Sequence, residues 1–269
     1  MPESKRNTKS KPHSVDPIWA NVRADAETAV ANEPVLGTFL HTCVIDQPTL
    51  EDAVAHRIAE RLDHPDVPAE IIRNGFDTML DADPGISRAI RVDMQAVFDR
   101  DPACTRYLDP LLYFKGFHAI QTHRLAHWLY GQGRRDFALY LQSRASVVFQ
   151  TDINPAAPFG VGIFLDHATG FVVGETAAVG DNVSILHSVT LGGTGKEGAD
   201  RHPKIADGVL IGAGASILGN IHIGHCTKVA AGSVVLNDVP PCKTVAGVPA
   251  KIVGEAGCAE PSRAMNQLL

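Results

Sequence analysis

Apolar residues recur at every sixth position through the second half of the chain. One series runs from Ile153 to Val189, and a second series, in a shifted phase, runs from Ile205 to Val235. The members are Ile153, Phe159, Leu165, Phe171, Ala177, Val183 and Val189, followed by Ile205, Ile211, Ile217, Ile223, Val229 and Val235. A fixed short period of this kind is typical of folds in which structural repeats stack on one another.

Glycine stands three places after seven of these apolar residues, at a constant offset. The seven are Gly162, Gly174, Gly180, Gly192, Gly208, Gly214 and Gly232. Glycine tolerates positive φ, so this offset predicts a corner at which a short strand turns sharply. Repeats with one inward apolar residue and one corner build a triangular coil of about eighteen residues, and stacked coils form a parallel β-helix with a continuous apolar interior.

A polar segment at 191–204, LGGTGKEGADRHPK, separates the two series. It has no aliphatic residue at the positions that would continue the six-residue period, so it is predicted to leave the coil as a projecting loop. Loops on a rigid scaffold are common places for binding and catalytic residues, which draws attention to Arg201, His202 and Lys204.

The first half of the chain has a helical pattern instead. Thr49, followed by Asp52 three residues later, predicts the start of an amphipathic helix that ends near Asp63. A later helix is predicted to place one apolar face in the core and Gln121 and Arg124 towards its polar side. The residues of that apolar face are Phe117, Ile120, Leu125, Trp128 and Leu129.

These patterns divide the chain into four predicted segments. Residues 1–16 form a disordered basic tail, 17–150 an all-α oligomerisation domain, 151–255 the β-helix catalytic domain and 256–269 a flexible C-terminal tail.

Composition limits the possible partners and compartments. The net charge of −6 and pI of about 6.0 give no electrostatic reason to bind nucleic acid or an anionic membrane surface. The N-terminus contains no apolar run that would serve as a secretory signal or a membrane span. Five cysteines without a Cys-x-x-Cys pair favour a reducing compartment, so we expect a cytoplasmic protein that acts on small molecules.

One histidine lies where a general base is expected. His167 follows the inward Leu165 by two residues, and Asp152 precedes the inward Ile153, so both are predicted near the same corner of successive coils. A carboxylate that holds one imidazole nitrogen leaves the other free to take a proton. A corner histidine satisfied by an aspartate is also a common structural feature, so the pair alone leaves both interpretations open.

Longer strings resemble the serine acetyltransferases, a family of hexapeptide-repeat acyltransferases. These are DPLLYFKGFHAIQTHRLAHWL, FGVGIFLDHATGFVVGETA, VSILHSVTLGGTGKEGADRHPKI, IGAGASILGNI and AGSVV with GVPAKIVG. The resemblance covers about residues 17 to 255. It implies an α-helical domain followed by a left-handed parallel β-helix, and direct acetyl transfer from acetyl-CoA to the hydroxyl of L-serine, the first step of cysteine biosynthesis.

The resemblance also implies roles for particular residues. His167 is similar to the family's general base and Asp152 to the aspartate that orients it. Asp101 and Asp166 resemble the acidic residues that hold the substrate amino group. Arg201 and His202 resemble the loop residues that meet the carboxylate and hydroxyl end of serine. The serine hydroxyl is a weak nucleophile, so a base in contact with it is chemically required.

Acetyl-CoA is expected as a co-substrate, with neither a further cofactor nor a metal. Its groove is predicted to contain small residues that leave backbone groups open to the pantetheine arm, and Lys228 near the phosphates. The proposed contacts are Gly193, Gly212, Ala213, Gly214 and Lys228.

The resemblance extends to assembly and control. It implies a homotrimer or a hexamer of two trimers, feedback inhibition by L-cysteine at the serine site, and docking of the C-terminal tail into O-acetylserine sulfhydrylase. Two residues depart from the family pattern: Asn154 stands where a histidine is expected, and the chain ends in Leu269 in place of isoleucine.

Other functions remain open at the level of sequence. β-Helix carbonic anhydrases hold zinc between subunits through histidines, but His187, His222 and His225 lack the expected spacing. A non-catalytic scaffold would have no use for a base and a polar loop. An acyltransferase for homoserine or an amino sugar, or one that uses a longer acyl donor, is the remaining alternative.

Overall fold

The computed structural model describes residues 16–195, 198–257 and 259–268. The predicted disordered tail at 1–16 therefore lies outside the described residues, except for Asp16. This aspartate belongs to the folded part, because its carboxylate accepts hydrogen bonds from the backbone N–H groups of Ile18 and Trp19 and caps the first helix.

Helices form the first part of the chain. They are α1 (Pro17–Asn32), α2 (Gly37–Leu40), α3 (Leu50–Leu62), α4 (Ala69–Ala82), α5 (Gly85–Arg100), α6 (Leu108–Leu112), α7 (Lys115–Gly131) and α8 (Arg135–Phe149), with a 3-10 turn at Pro34–Leu36 and a π turn at His41–Ile45. The predicted cap of α3 is confirmed, since the Thr49 side chain accepts from the Asp52 N–H at 3.2 Å. A short α9 (Pro261–Ala264) follows near the C-terminus.

The central helix α7 is more deeply buried than its sequence indicates. Gln121 and Arg124, which we predicted on a polar side, are both buried. They donate hydrogen bonds to the carboxylate of Asp93 on α5, at 2.8 to 2.9 Å. The polar side of α7 therefore faces another helix, and its charge is neutralised inside the protein.

Short parallel strands build the second part of the chain as a β-helix with three faces. The first face contains β1 (Thr151–Ile153), β3 (Phe171–Val173), β6 (Thr190–Gly192), β9 (Ser216–Leu218) and β12 (Val234–Val235). The second contains β4 (Ala178–Val179), β7 (Lys204–Ile205) and β10 (His222–Ile223). The third contains β2 (Phe164–Leu165), β5 (Ser184–Ile185), β8 (Leu210–Ile211), β11 (Lys228–Val229), β13 (Lys243–Gly247) and the antiparallel β14 (Ala250–Glu255).

The first complete coil is two residues longer than predicted. Ile153 pairs with Val173, twenty residues on, whereas Val173 pairs with Leu191, eighteen residues on. The corner that follows β2 holds the additional residues, and His167 and Ala168 there have left-handed backbone angles, with φ of 55° and 59°. The sequence places a histidine at the point where the repeat is interrupted.

The first predicted apolar series is therefore out of phase after Leu165. Phe171, Ala177, Val183 and Val189 are fully buried, but they lie two residues before the apolar residues that stack across coils. The residues of the predicted series and the residues that stack across coils both face the interior and are both apolar. The two-residue shift between them is therefore not visible in the sequence.

The helices and the β-helix are in close contact at the start of α7. A Cβ atom on Gly116 would lie 1.9 Å from the backbone oxygen of Leu165, so only glycine fits there. Asp93 also accepts from the backbone N–H groups of Gly162 and Ile163. Within the described residues, none of the helices has the length and apolar composition needed to cross a membrane.

Candidate active site

A cavity of about 290 Å³ lies between α5, the start of α7 and the corner after β2. Asp101, Asp166 and His167, all predicted from the sequence, line it together. Apolar side chains, among them Phe114 and Phe164, form much of the remaining wall. The cavity thus combines two carboxylates, one imidazole and an apolar lining, which suits a small zwitterionic substrate.

His167 projects from the interrupted corner towards solvent. Its side chain is 73% exposed, and its Nε2 atom lies 3.7 Å from Oδ1 of Asp166. The ring of His187, one coil further along, is 5.9 Å away between centroids. The imidazole is therefore accessible to a second substrate that approaches along this corner.

Asp166 and Asp101 provide negative charge on the cavity wall. Burial raises the pKa of the Asp166 carboxyl above its ordinary value, and the charge of Asp101 acts in the same direction, whereas His167 opposes it. Asp101 ends helix α5, and its Oδ1 accepts from the backbone N–H of Ala103 at 2.8 Å. A bound ammonium group would relieve the repulsion between the two carboxylates.

The predicted hydrogen bond between Asp152 and His167 is absent from the described residues. Asp152 pairs in register with Val172, and its Oδ1 accepts from Nε2 of Gln142 on α8 at 2.6 Å. Our alignment of Asp152 with Gly170 assumed a coil of eighteen residues. The two extra residues at the His167 corner shift the carboxylate onto the outer surface of the first face.

Arg201 and His202 lie at a different corner, between the first and second faces. The Arg201 guanidinium donates to Oε2 of Glu175 at 2.9 Å, and the backbone N–H groups of Arg201 and His202 both donate to the hydroxyl of Thr176. Neither side chain lines the cavity that contains His167. One chain therefore does not bring all the predicted substrate contacts together.

His202 is held in a fixed orientation. Its Nδ1 accepts from the backbone N–H of Thr176 at 3.2 Å, which leaves the proton of the neutral ring on Nε2. Burial lowers the pKa of His202, and the positive charges of Arg201 and Lys204 add to this effect. A Cβ on Gly174 would lie 2.0 Å from Nε2, so the ring packs directly on a glycine backbone.

The residues predicted to contact acetyl-CoA fall into two places. Gly212, Ala213 and Gly214 form the corner after β8, two coils beyond His167, and the Gly214 N–H donates to the backbone oxygen of His187. Gly193 lies at the base of the projecting loop, where a Cβ would be 3.4 to 3.5 Å from Arg201 and His202. The first group shares the corner of His167, whereas Gly193 shares that of His202.

Lys228 and the C-terminal tail are positioned differently from our expectation. Lys228 is only 7% exposed, and its Nζ donates to the backbone oxygen of Leu268. The described part of the tail, which we expected to be flexible, packs on the third face. Its Ser262 is fully buried, and the Ser262 backbone oxygen accepts from the Ser184 hydroxyl at 2.7 Å. Leu269 lies outside the described residues.

The structure adds residues that the sequence did not identify. Lys115 and Tyr113 line the cavity, and Lys115 donates to the hydroxyl of Thr169 at 2.5 Å in the His167 corner. Both belong to the string DPLLYFKGF, which includes the start of α7 and could have indicated them. Glu175 and Thr176, which hold the loop, belong to the string FGVGIFLDHATGFVVGETA, which could have indicated them.

Comparisons with known proteins agree with this architecture. The N-terminal domain model of serine acetyltransferase matches residues 18–122, and the bacterial transferase hexapeptide model matches residues 202–237. The chain is 53% identical over 250 residues to the serine acetyltransferase of Escherichia coli, covering 93% of this chain and 92% of that protein. The chain belongs to the serine acetyltransferase family. This membership sets aside the carbonic anhydrase, scaffold and other-acceptor alternatives.

Solved structures of serine acetyltransferases support the fold in detail. The coenzyme A complex from Brucella abortus is 70% identical, with a TM-score of 0.90, and the match covers 91% of this chain and 98% of that one. A serine acetyltransferase complex with cysteine is 48% identical, with a TM-score of 0.91, and the match covers 94% and 98% of the two chains. The predicted class, an all-α domain followed by a left-handed parallel β-helix, is confirmed.

Proposed function

We propose that His167 is the general base in the transfer of an acetyl group from acetyl-CoA to L-serine, the reaction of the family to which the chain belongs. The observation that carries this assignment is the exposed imidazole at the mouth of a cavity that also contains two carboxylates. An imidazole in that position can remove the proton of a hydroxyl as the oxygen attacks.

The reaction then proceeds by direct transfer. The serine oxygen loses its proton to His167 and attacks the thioester carbonyl carbon of acetyl-CoA. The carbon–sulfur bond of the tetrahedral intermediate breaks, and the departing thiolate takes the proton from the imidazolium. The products are O-acetyl-L-serine and coenzyme A, and no residue carries the acetyl group.

The amino group of serine lies between Asp101 and Asp166 in this proposal. Both carboxylates line the cavity, and burial, together with the negative charge of Asp101, raises the pKa of Asp166 above its ordinary value. An ammonium group supplies the missing charge and favours the ionised form of Asp166. L-Cysteine presents the same ammonium and carboxylate groups, so it should compete with serine here. The cysteine complex of a 48% identical relative supports this expectation.

The serine carboxylate is held by Arg201 and His202 of a neighbouring subunit. Within one chain these residues lie at a corner other than that of His167 and outside the cavity. A trimer with threefold symmetry places one corner of each β-helix beside a different corner of the next, which would complete three equivalent sites. A hexamer of two trimers, joined through the helices, contains the same sites.

Acetyl-CoA lies along the His167 corner in this arrangement. Gly212, Ala213 and Gly214 offer low bulk two coils beyond the base. The coenzyme A complex of the 70% identical relative from Brucella abortus supports the expectation that this chain binds acetyl-CoA. Contact between the phosphates and Lys228 would require the tail residue Leu268 to leave the lysine, because its carbonyl now accepts from Nζ. The released tail is then available to a partner such as O-acetylserine sulfhydrylase.

Replacement of His167 by alanine tests the proposed base. We expect kcat to fall about 10²- to 10⁴-fold, the usual contribution of a general base, with an unchanged melting temperature. His222→Ala is the matched control, because His222 is an exposed histidine on the second face of the same β-helix. Release of free coenzyme A should remain within about twofold for this control. A His167→Ala enzyme that kept more than about a tenth of wild-type kcat would exclude the base role.

A further inference from the structure

A second cavity, of about 430 Å³, lies where the helices meet the corner between the second and third faces of the β-helix. Its lining includes Arg100, the last residue of α5, Asn182, two residues before β5, and Arg263 on α9. The cavity has room for a small polyatomic anion and several waters, each of which occupies about 30 Å³. It shares no lining residue with the cavity at His167, so it is a separate site.

Arg100 is a buried cation that forms no ion pair within the described residues. Its side chain belongs to a residue only 6% exposed, and it donates to neutral oxygens alone. These are the backbone oxygen of Gly162 at 3.1 Å, the hydroxyl of Ser184 at 3.0 Å and Oδ1 of Asn182 at 3.3 Å. Burial lowers the pKa of Arg100 to about 10, the positive charge of Arg263 acts in the same direction, and nearby carboxylates do not outweigh these effects. The protein therefore compensates the buried charge only in part.

The Arg100 guanidinium also keeps unused donors. Of its five N–H groups, two on Nη1 and one on Nη2 are used, so Nε and Nη2 each retain an N–H without an acceptor in the part of the chain that the structure describes. These two nitrogens form the edge of a guanidinium that binds carboxylates and phosphates through two hydrogen bonds. Arg124, another buried arginine, uses this edge to hold Asp93. Arg100 has the same edge available for an anion.

Arg263 and Asn182 add donors to the same cavity. The Arg263 Nε atom lies 2.8 Å from Oε2 of Glu260, but these side chains are 57% and 54% exposed, so the ion pair is weak and leaves the Nη groups available. Oδ1 of Asn182 accepts from Arg100, so its Nδ2 group is the donor end of the amide. Three donor groups, from α5, α9 and the β-helix corner, therefore line one cavity.

The other charged residues of this cavity leave the charge of Arg100 unmatched. Arg91 is already paired with Asp16 and Glu51, at 2.6 and 2.5 Å. Asp99 supplies the one carboxylate among the described lining residues, and it is exposed to solvent, which screens its charge. The charge that remains to be compensated is therefore that of the buried Arg100.

We propose that this cavity binds a tetrahedral oxyanion, such as sulfate or inorganic phosphate, through Arg100, Arg263 and Asn182. Three donor groups on separate elements suit an anion with four oxygens, because a carboxylate has only two oxygens to share among them. The bound anion joins α9 to α5 and to the β-helix, so it stabilises the folded chain. The site takes no part in the proposed acetyl transfer, and its test does not depend on that reaction.

Titration calorimetry of the protein with sodium sulfate, and separately with sodium phosphate, tests this site, with ionic strength held constant by sodium chloride. We expect saturable binding of both anions, and the ratio of the two Kd values shows which one the site prefers. Acetate, a carboxylate, should bind at least about tenfold more weakly. At an anion concentration of about 100 times Kd, Tm should rise by about 5–10 °C.

Two variants locate the bound anion. Arg263→Gln removes an exposed cation, and Arg100→Lys keeps the buried charge but loses the two-nitrogen edge. Each should raise Kd about 10- to 100-fold, the usual effect of losing a hydrogen bond to a charged group.

Arg88→Gln is the matched control, because Arg88 is an exposed arginine on α5 that does not line the cavity. It removes the same charge as Arg263→Gln, and its Kd should stay within about twofold of the wild type. An unchanged Kd in the Arg263→Gln protein would overturn the proposal, and this comparison decides the matter even if Arg100→Lys fails to fold. Acetate binding as tight as that of sulfate would also overturn it, as would the absence of saturable binding of either tetrahedral anion to the wild type.

Discussion

Asp93 connects the helices to the β-helix, and its replacement should weaken the fold strongly. The side chain is fully buried and accepts five hydrogen bonds. Gln121 gives one and Arg124 two, at 2.8 to 2.9 Å, and the backbone N–H groups of Gly162 and Ile163 give two more, at 2.8 and 3.0 Å. All five donors meet at one carboxylate.

Asp93→Asn keeps the volume of the side chain but removes its charge and one acceptor oxygen. The new NH2 group faces groups that are themselves donors, and the buried guanidinium of Arg124 loses its ion pair. Breaking a buried pair by removing one partner costs about 3–5 kcal/mol. A change of 1 kcal/mol shifts Tm by about 2–4 °C in chains of 150–250 residues, so Tm should fall by about 6–20 °C.

Differential scanning calorimetry of the two proteins, at equal concentration, measures this shift. Asp99→Asn is the matched control, because Asp99 is an exposed aspartate on the same helix, where it accepts one hydrogen bond from Gln95. Its Tm should stay within about 2 °C of the wild type. If the Tm of the Asp93→Asn protein changed as little as that of this control, the view that the buried carboxylate holds the helices and the β-helix together would be refuted.

Two further predictions concern the loop and the buried histidines. Gly174→Ala, at the corner after β3, places a Cβ 2.0 Å from Nε2 of His202, so the ring must move, and kcat/KM for serine should fall about 10²-fold. Gly198→Ala, in the projecting loop, meets no atom within 4 Å and should leave kcat/KM unchanged. Equal kcat/KM values for the two variants would contradict this prediction. Burial lowers the pKa of His118 and of His123 to about 3, below the ordinary value of 6.5, so both contribute stability above pH 6.5 that is lost as the pH falls towards 3. The Tm should therefore fall as the pH is lowered from 7 to 4, and it should fall less steeply for the His118→Asn protein than for the wild type. Parallel curves of Tm against pH for the two proteins would contradict the role given to His118.

The sequence predicted the architecture well because the hexad pattern is strictly local. Each inward apolar residue depends only on its own coil, so the repeat is visible without knowledge of any distant contact. The projecting loop was found for the same reason, since LGGTGKEGADRHPK interrupts the pattern with polar residues. The cap at Thr49 follows equally from neighbouring residues.

The errors arose where position depends on distant parts of the chain. The corner at His167 contains two additional residues that are compatible with an unbroken apolar series, so Asp152 was aligned with the wrong neighbour. Arg124 looks like a surface residue in its own helix, but its partner Asp93 lies on another helix. The tail shows no periodicity, yet Ser262 and Lys228 make contacts with distant segments that fix it on the β-helix.

Mixing two inactive variants tests most directly whether the active site is shared between subunits. His167→Ala and Arg201→Ala proteins are each expected to have low activity, because every site in either oligomer lacks one contact. Dissociation and reassembly of an equal mixture should form some sites that have both His167 and Arg201 intact. If adjacent subunits contribute one residue each, about a quarter of the sites are complete, and about a quarter of wild-type kcat should return. Activity no greater than the mean of the two parent proteins would contradict a site completed by the neighbouring chain.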